Sequence, residues 1–189
     1  NVIVYMNDAV KNMMSNAQND IRIDLPNFDS KNLLNQNIDI FHKNPAHQQN
    51  MLAKLTDTYS TEIKVGGRTF GLVANPIITP DDERIGTVVE WEDRTAEVAI
   101  EKEVAQLVSA ASKGELNSRV VEQGKDGFFL RLAQGLNSLV KVVDDAVTDT
   151  GNMLDAMATG DLSKRIEKEY QGSFEKLKTD ANATADKLT

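Results

Sequence analysis

The sequence predicts an α+β domain, an antiparallel sheet with flanking helices, followed by all-α modules that assemble as parallel four-helix coiled coils in a dimer. Three observations carry this expectation. Gly66-Gly67 stands between two β-rich runs, the signature of a tight hairpin. From about residue 96 the apolar period changes from two to roughly three and a half. The segment beginning at Leu107 then returns 46 positions later at Met153, and repetition on that scale indicates stacked modules.

Taken in order, Asn1 to Met6 is β-branched and apolar and reads as a strand. Asn7-Asp8 can cap a helix running through Ala9, Val10, Met13 and Met14, methionines that read as core. Residues 20–37 are rich in Asn, Asp and Ser and carry Pro26, so they read as loop with one helical turn at Ser30 to Leu34. Asn44-Pro45 is a helix start, with Asn as cap and Pro at the first helical position. That helix runs to about Leu55 and turns Met51, Leu52 and Leu55 inward. Three strands follow, at Thr58 to Val65, Arg68 to Ile78 and Arg84 to Glu92, the last two joined by Thr79-Pro80-Asp81-Asp82. This order leaves a cleft between sheet and helices that suits a small flat ligand.

In the second half, Ile100, Val104, Leu107 and Ala111 form a heptad seam that Gly114 stops. After Gly127 the seam resumes through Leu132, Leu136, Leu139, Val143, Ala146, Thr150, Met153 and Met157, one long helix ending at Gly160. Phe174, Leu177, Ala181, Thr184 and Leu188 give a last seam. Gly114-Glu115-Leu116 and Gly160-Asp161-Leu162 are equivalent turns, each followed by an arginine and an extended connector. Two such helices cannot bury their seam alone, so a second copy of the chain is expected.

Composition removes several functions. A formal charge of −8 opposes nucleic-acid binding, which needs concentrated positive charge. With no cysteine there is no disulfide, thiolate metal site or cysteine nucleophile, and no nucleophile–base set points to an enzyme. Glu90, Glu92 and Asp93 read as solvated surface and junction. No apolar run is long enough to cross a bilayer. The chain opens on Asn1 and closes within a helical pattern, so both ends read as cut.

The chain has two histidines and one tryptophan. His42 is either a metal ligand or a surface histidine ahead of a helix start. His47, five residues on, reads as a helix-face residue and does not complete an i, i+4 metal pair. Trp91 shares a strand face with Ile85, Thr87 and Val89 and is either a core residue or a cleft group. Asp93 and Thr95 can cap the helix that follows.

The paired Gly-acidic-Leu turns between heptad helices resemble HAMP domains, the relays of bacterial chemoreceptors and sensor kinases. Two in tandem, sharing one helix, resemble the poly-HAMP arrays of soluble methyl-accepting chemoreceptors. The first half resembles a PAS domain whose second strand is Asn1 to Asn7, its first strand lying upstream or missing. Trp91-Glu92-Asp93-Arg94-Thr95 carries the Asp-x-Thr motif found where a PAS domain meets its output helix. The expected domains are PAS 1–95, a first HAMP 96–146 and a second HAMP 147–189. The resemblance to haem-binding aerotaxis receptors implies haem b with His42 as axial ligand to the iron. It implies Trp91 as hydrogen-bond donor to O₂ and Leu72 as a distal-pocket residue. Asp93, Thr95, Gly114, Glu115, Leu116, Gly160, Asp161 and Leu162 would relay the signal. Implied partners are a second copy of the chain, a diatomic gas, and the chemotaxis histidine kinase with its coupling adaptor. Cytoplasmic placement is implied, with membrane attachment of the parent left open. The alternative is a PAS domain without haem, binding another small molecule or serving as a dimerisation and relay module.

Overall fold

The computed structural model describes residues 1–42 and 45–189, so the expected Asn44 cap lies outside the described residues. It divides into two compact units, Asn1–Ala99 and Ile100–Thr189.

In the first unit, helix α1 (Asp8–Asp24) starts where Asn7 accepts a hydrogen bond from Val10 N–H at 2.9 Å. It runs through residues expected as loop because Ile21, one turn beyond Ala17 and two beyond Met14 on the same face, is buried in the core. Tertiary burial outweighs the weak helix preference of Asn and Asp here. Gln18 then accepts from the Ser30 N–H at 3.0 Å and Arg22 donates to the Phe28 carbonyl at 2.7 Å, folding the following loop onto the helix. Short 3₁₀ turns follow at Ser30–Asn32 and Ile38–Phe41, then helix α2 (Pro45–Ala53) with Leu52 buried.

The sheet is β1 (Tyr59–Val65), β2 (Arg68–Ile78) and β3 (Arg84–Asp93), antiparallel in the order β1-β2-β3. Asn1–Met6 does not join it. Val2 makes a single bridge to Asn37, and Ile3 exchanges two backbone bonds with the segment at 35–36. That partner segment turns straight into a 3₁₀ helix, so no ladder can extend, and Val4 and Tyr5 stay exposed.

Register fixes the faces. Thr61, Leu72 and Trp91 lie opposite one another across the three strands, as do Ile63, Phe70 and Asp93. Directly opposed residues point to one side of a sheet. Phe70 is fully buried against the α1 residues Met14, Ala17 and Ile21. The same face continues through Leu72 and Ala74 to Tyr59 and Val89, which are partly open.

The Gly66-Gly67 turn is where sheet and helix touch. Both glycines have positive φ, 59° and 79°, as a two-residue hairpin demands. The Gly66 N–H donates to Asp24 at 2.6 Å, and a Cβ at Gly66 would lie 1.8 Å from the Asp20 carbonyl oxygen.

The second unit is built from α3 (Thr95–Ala111), which begins in the first unit, α4 (Gly127–Ala158) and α5 (Ser173–Leu188). Its two modules share one set of turn and connector bonds. Gly114 and Gly160 take φ of 82° and 87°, and the next N–H closes back on Ala110 and Ala156 at 3.0 and 2.9 Å. The Asn137 side chain accepts from the Val120 N–H at 2.8 Å and donates to its carbonyl at 2.9 Å. Asn182 holds Ile166 in the same way at 2.9 and 3.1 Å. Arg119 donates to the Leu116 carbonyl and Arg165 to that of Leu162, each at 2.6 Å.

One expectation shifts by a residue. On α4 the buried positions are Ala133, Val140, Ala146 and Met153, so Ala146 and Met153 lie on the expected seam, whereas its Leu139 is 59% exposed. In α5 Ala185 is buried and the seam residue Thr184 is exposed. Ile100, Leu107, Ala146 and Met153 are buried on the seam, and only around Leu139 and Thr184 do the buried positions sit one residue beside it.

Two outcomes follow. Gly67→Ala carries only the left-handed backbone penalty, about 1–2 kcal/mol, whereas Gly66→Ala adds a clash with α1 and lowers the thermal midpoint clearly further. Asn137→Ala and Asn182→Ala each strand a buried backbone N–H and C=O, costing roughly 1–3 kcal/mol in denaturant melts followed by helix content.

Candidate functional site

His42 closes the 3₁₀ turn Ile38–Phe41, its N–H bonded to the Asp39 carbonyl at 3.1 Å. Its ring Nδ1 lies 2.9 Å from the Ile38 carbonyl oxygen. A carbonyl only accepts, so Nδ1 carries the proton and a neutral ring keeps its lone pair on Nε2. The neighbouring Phe41 ring packs on Phe28 with centroids 5.8 Å apart and joins the same core as Phe70 and Trp91. Gln49 of α2 donates to Asp39 at 2.6 Å, tying that turn to the following helix.

Leu72 and Trp91 are cross-strand partners on the inner sheet face. Trp91 is half-buried and lies edge-on to Phe70, ring centroids 5.8 Å apart, so its indole leans toward the α1 side of the sheet.

The end of β3 holds the densest polar geometry in the unit. Asp93 accepts from the Thr95 hydroxyl and, at 3.1 Å, from the Thr95 N–H, which α3 cannot pair internally at its first residue. Its other oxygen accepts from Arg68 at 2.6 Å, and Arg68 also donates to Asp20 of α1 at 2.6 Å. The Thr95 oxygen in turn accepts from the Thr69 N–H at 3.1 Å, while the Arg94 N–H donates to the Thr69 carbonyl at 2.9 Å. Thr95 therefore completes the β2–β3 ladder with a side chain where the helix has taken the backbone away. Arg94 also reaches Glu62 of β1. All three strands and α1 meet at the start of α3.

Burial works to raise the Asp93 carboxyl. Hydrogen bonds from the Thr95 hydroxyl, Arg68 and the Thr95 N–H, with the Arg68 charge, overcome it and hold the group below its ordinary value. Arg68 is pushed upward by its bond to Asp20 and by Asp93, against desolvation.

The turn residues sit as the repeat requires. Leu116 packs with Val120, Ala133 and Val140, and Leu162 is half-buried in the second module. Glu115 is exposed, whereas Asp161 accepts from the Ser163 N–H at 3.0 Å and hydroxyl at 2.6 Å, bonds that hold its carboxyl below the usual range.

Sequence reasoning did not find Arg68, Asp20 or Asp24. Arg68 carried no signal beyond its place after the hairpin glycines. Asn137 and Asn182 were visible, since both recur at the 45-residue offset.

Residues 124–189 match the HAMP domain family. Methyl-accepting chemotaxis protein McpB of Pseudomonas aeruginosa is 51% identical over 187 residues, 99% of this chain. The chain belongs to the methyl-accepting chemoreceptors. It spans 28% of the length of that relative, with a PAS domain followed by HAMP helices. A solved structure, the Aer2 receptor from Vibrio cholerae, titled a dual PAS-haem oxygen sensor, is similar at 32% identity. That similarity covers 49% of this chain and 84% of that one, with a TM-score of 0.44. Among the described residues of this chemoreceptor segment, no helix is long and apolar enough to cross a membrane.

Because the folded Asp93 value is depressed, its contribution is fully present above the ordinary value of 3.8 and is lost as pH falls through the lower folded value. Thermal midpoints of the chain should therefore fall more steeply on acidification than those of Asp93→Asn, the two converging at the acid end.

Proposed function

We propose that this part of the chemoreceptor senses O₂ or another diatomic gas through b-type haem in the PAS domain and relays the event through two HAMP modules. The observation that carries the reading is the His42 ring, fixed by the Ile38 carbonyl with Nε2 left for a metal. A neutral imidazole oriented through its other nitrogen is the donor that a haem iron takes from protein. The inner sheet face, with Leu72, Ala74 and Val89, offers the apolar wall such a flat group needs. Haem, when bound, supplies the iron that takes up the gas.

The chain's own residues do the rest. His42 would hold the iron through Nε2, and Leu72 would keep water from the gas. Trp91, now against Phe70, would donate its indole N–H to it. Trp91 and Asp93 lie two residues apart on one face of β3, so a change in the first loads the Asp93–Thr95–Arg68 junction and then α3. The first HAMP is taken as 96–146 and the second as 147–189, each choosing between packings of similar energy.

A second copy of the chain completes the four-helix bundles. An apolar groove along Ile100, Val104, Val108 and Leu132, with Leu139 exposed about two turns further along α4, is the surface this copy would cover. The output is control of a chemotaxis histidine kinase with its coupling adaptor, in the cytoplasm, by transduction and not by catalysis. A relay role without haem is the second reading, favoured by a junction whose ion pairs need no ligand to form.

Absorbance of the purified chain after haem supply tests this. A Soret band that His42→Ala abolishes is expected. No band in the parent chain selects the second reading, and full haem retention in His42→Ala removes the ligand assignment.

A further inference from the structure

The internal repeat puts unlike chemistry at one joint. Glu103 corresponds to Asp149 at the 46-residue offset, and Lys125 to Tyr170 at the 45-residue offset. In the first module Glu103, on α3, accepts from Lys125 Nζ, 3.0 Å from each carboxylate oxygen, and from the Val121 N–H at 3.0 Å. The pair is well shielded, the Lys125 side chain being 13% exposed and that of Glu103 27%. In the second module Asp149, on α4, accepts from the Tyr170 hydroxyl at 2.6 Å. The Tyr170 ring packs against the Met153, Ile166 and Ala185 core and beside Phe174, centroids 6.4 Å apart. The glycine turns, the asparagine pins and the arginine–carbonyl bonds all agree between modules. Outer contacts differ as well, with Lys168 of the second connector paired to Asp145 of α4 and Arg165 to Asp186, but at this corresponding pair of positions the tie itself changes from an ion pair to a phenol.

The two ties respond differently to charge. An ion pair depends on both charges and weakens with ionic strength, even when partly shielded. A phenol still donates to a neutral amide oxygen, though more weakly than to a carboxylate, and its ring keeps its packing. Glu103 also lies on the helix that leaves the Asp93–Thr95 junction, about 12 Å along the axis from Thr95.

We propose that Glu103 and Lys125 form a releasable clasp passing movement of α3 to the first connector, whereas Asp149 and Tyr170 fix the equivalent joint in the second module. The first module is then the one that changes packing readily, and the second holds its packing until driven. Lys125 and Tyr170 are positioning residues that give two otherwise matching modules different compliance.

Hydrogen exchange of the whole 189-residue chain tests the assignment, read at amides 119–126 and 165–172, with exchange within α4 reporting that the fold is retained. Glu103→Gln should speed exchange in the first connector roughly fivefold, the scale of one charge-assisted bond weakened. Asp149→Asn should change the second clearly less than that, its amide oxygen still accepting from Tyr170 and the ring still packed in its core. Lys125→Arg should behave as the parent. Added salt should speed exchange at the first connector of the parent and leave that of Lys125→Tyr unchanged, a response that packing alone would not give. Equal loosening by the two neutralisations, or a first connector indifferent to salt, would overturn the proposal.

Discussion

A carboxylate at the end of the last strand must satisfy three donors, and the route from sheet to output helix passes through it. Asp93 pairs the first N–H of α3, takes the Thr95 hydroxyl, and holds Arg68, which is shared with Asp20 of α1. Each bond alone is modest. Their importance lies in who shares them, because Arg68 cannot move toward one acid without loosening its hold on the other. The Gly66 turn, pressed on the α1 backbone, fixes where Arg68 starts. Helix, hairpin and last strand thus report to one point, and a shift in any of them is felt where α3 begins.

Beyond that point the chain reuses one device. A glycine turns the chain out of a helix, an arginine braces the turn, and an asparagine on the next helix pins the connector by both backbone groups of one buried residue. A connector lacks regular secondary structure, so its buried N–H and C=O need a side-chain partner. The asparagine supplies donor and acceptor from one rigid amide. This explains why the repeat keeps Asn137 and Asn182 while letting seam residues such as Leu139 change to Thr184.

Much of the architecture was legible because local rules and tertiary demands agreed. Gly66-Gly67 forced a hairpin, Gly114 and Gly160 ended their helices, and the heptad period announced α4. Where they disagreed, the reading failed. The Asn- and Asp-rich end of α1 reads as loop until Ile21 is seen to be buried. Asn1–Met6 reads as a strand, yet its partner segment turns away after one bridge. The one-residue offset from Leu139 to Val140 was hidden because a heptad serves two neighbours, one in the chain and one outside it. For the candidate site, alternation placed Trp91 and Val89 on one face, and the register adds Leu72 beside Trp91. Arg68 was invisible because an ion pair across 48 residues leaves no local pattern.

Coupling between the sheet and α3 through Arg68 and Asp93 is most directly read at the Thr69 amide, which donates to the Thr95 hydroxyl oxygen. Its hydrogen exchange, followed in haem-supplied chain with and without gas, should change on gas addition in the parent and stay constant in Arg68→Ala. The same gas-dependent change in Arg68→Ala as in the parent would contradict the coupling.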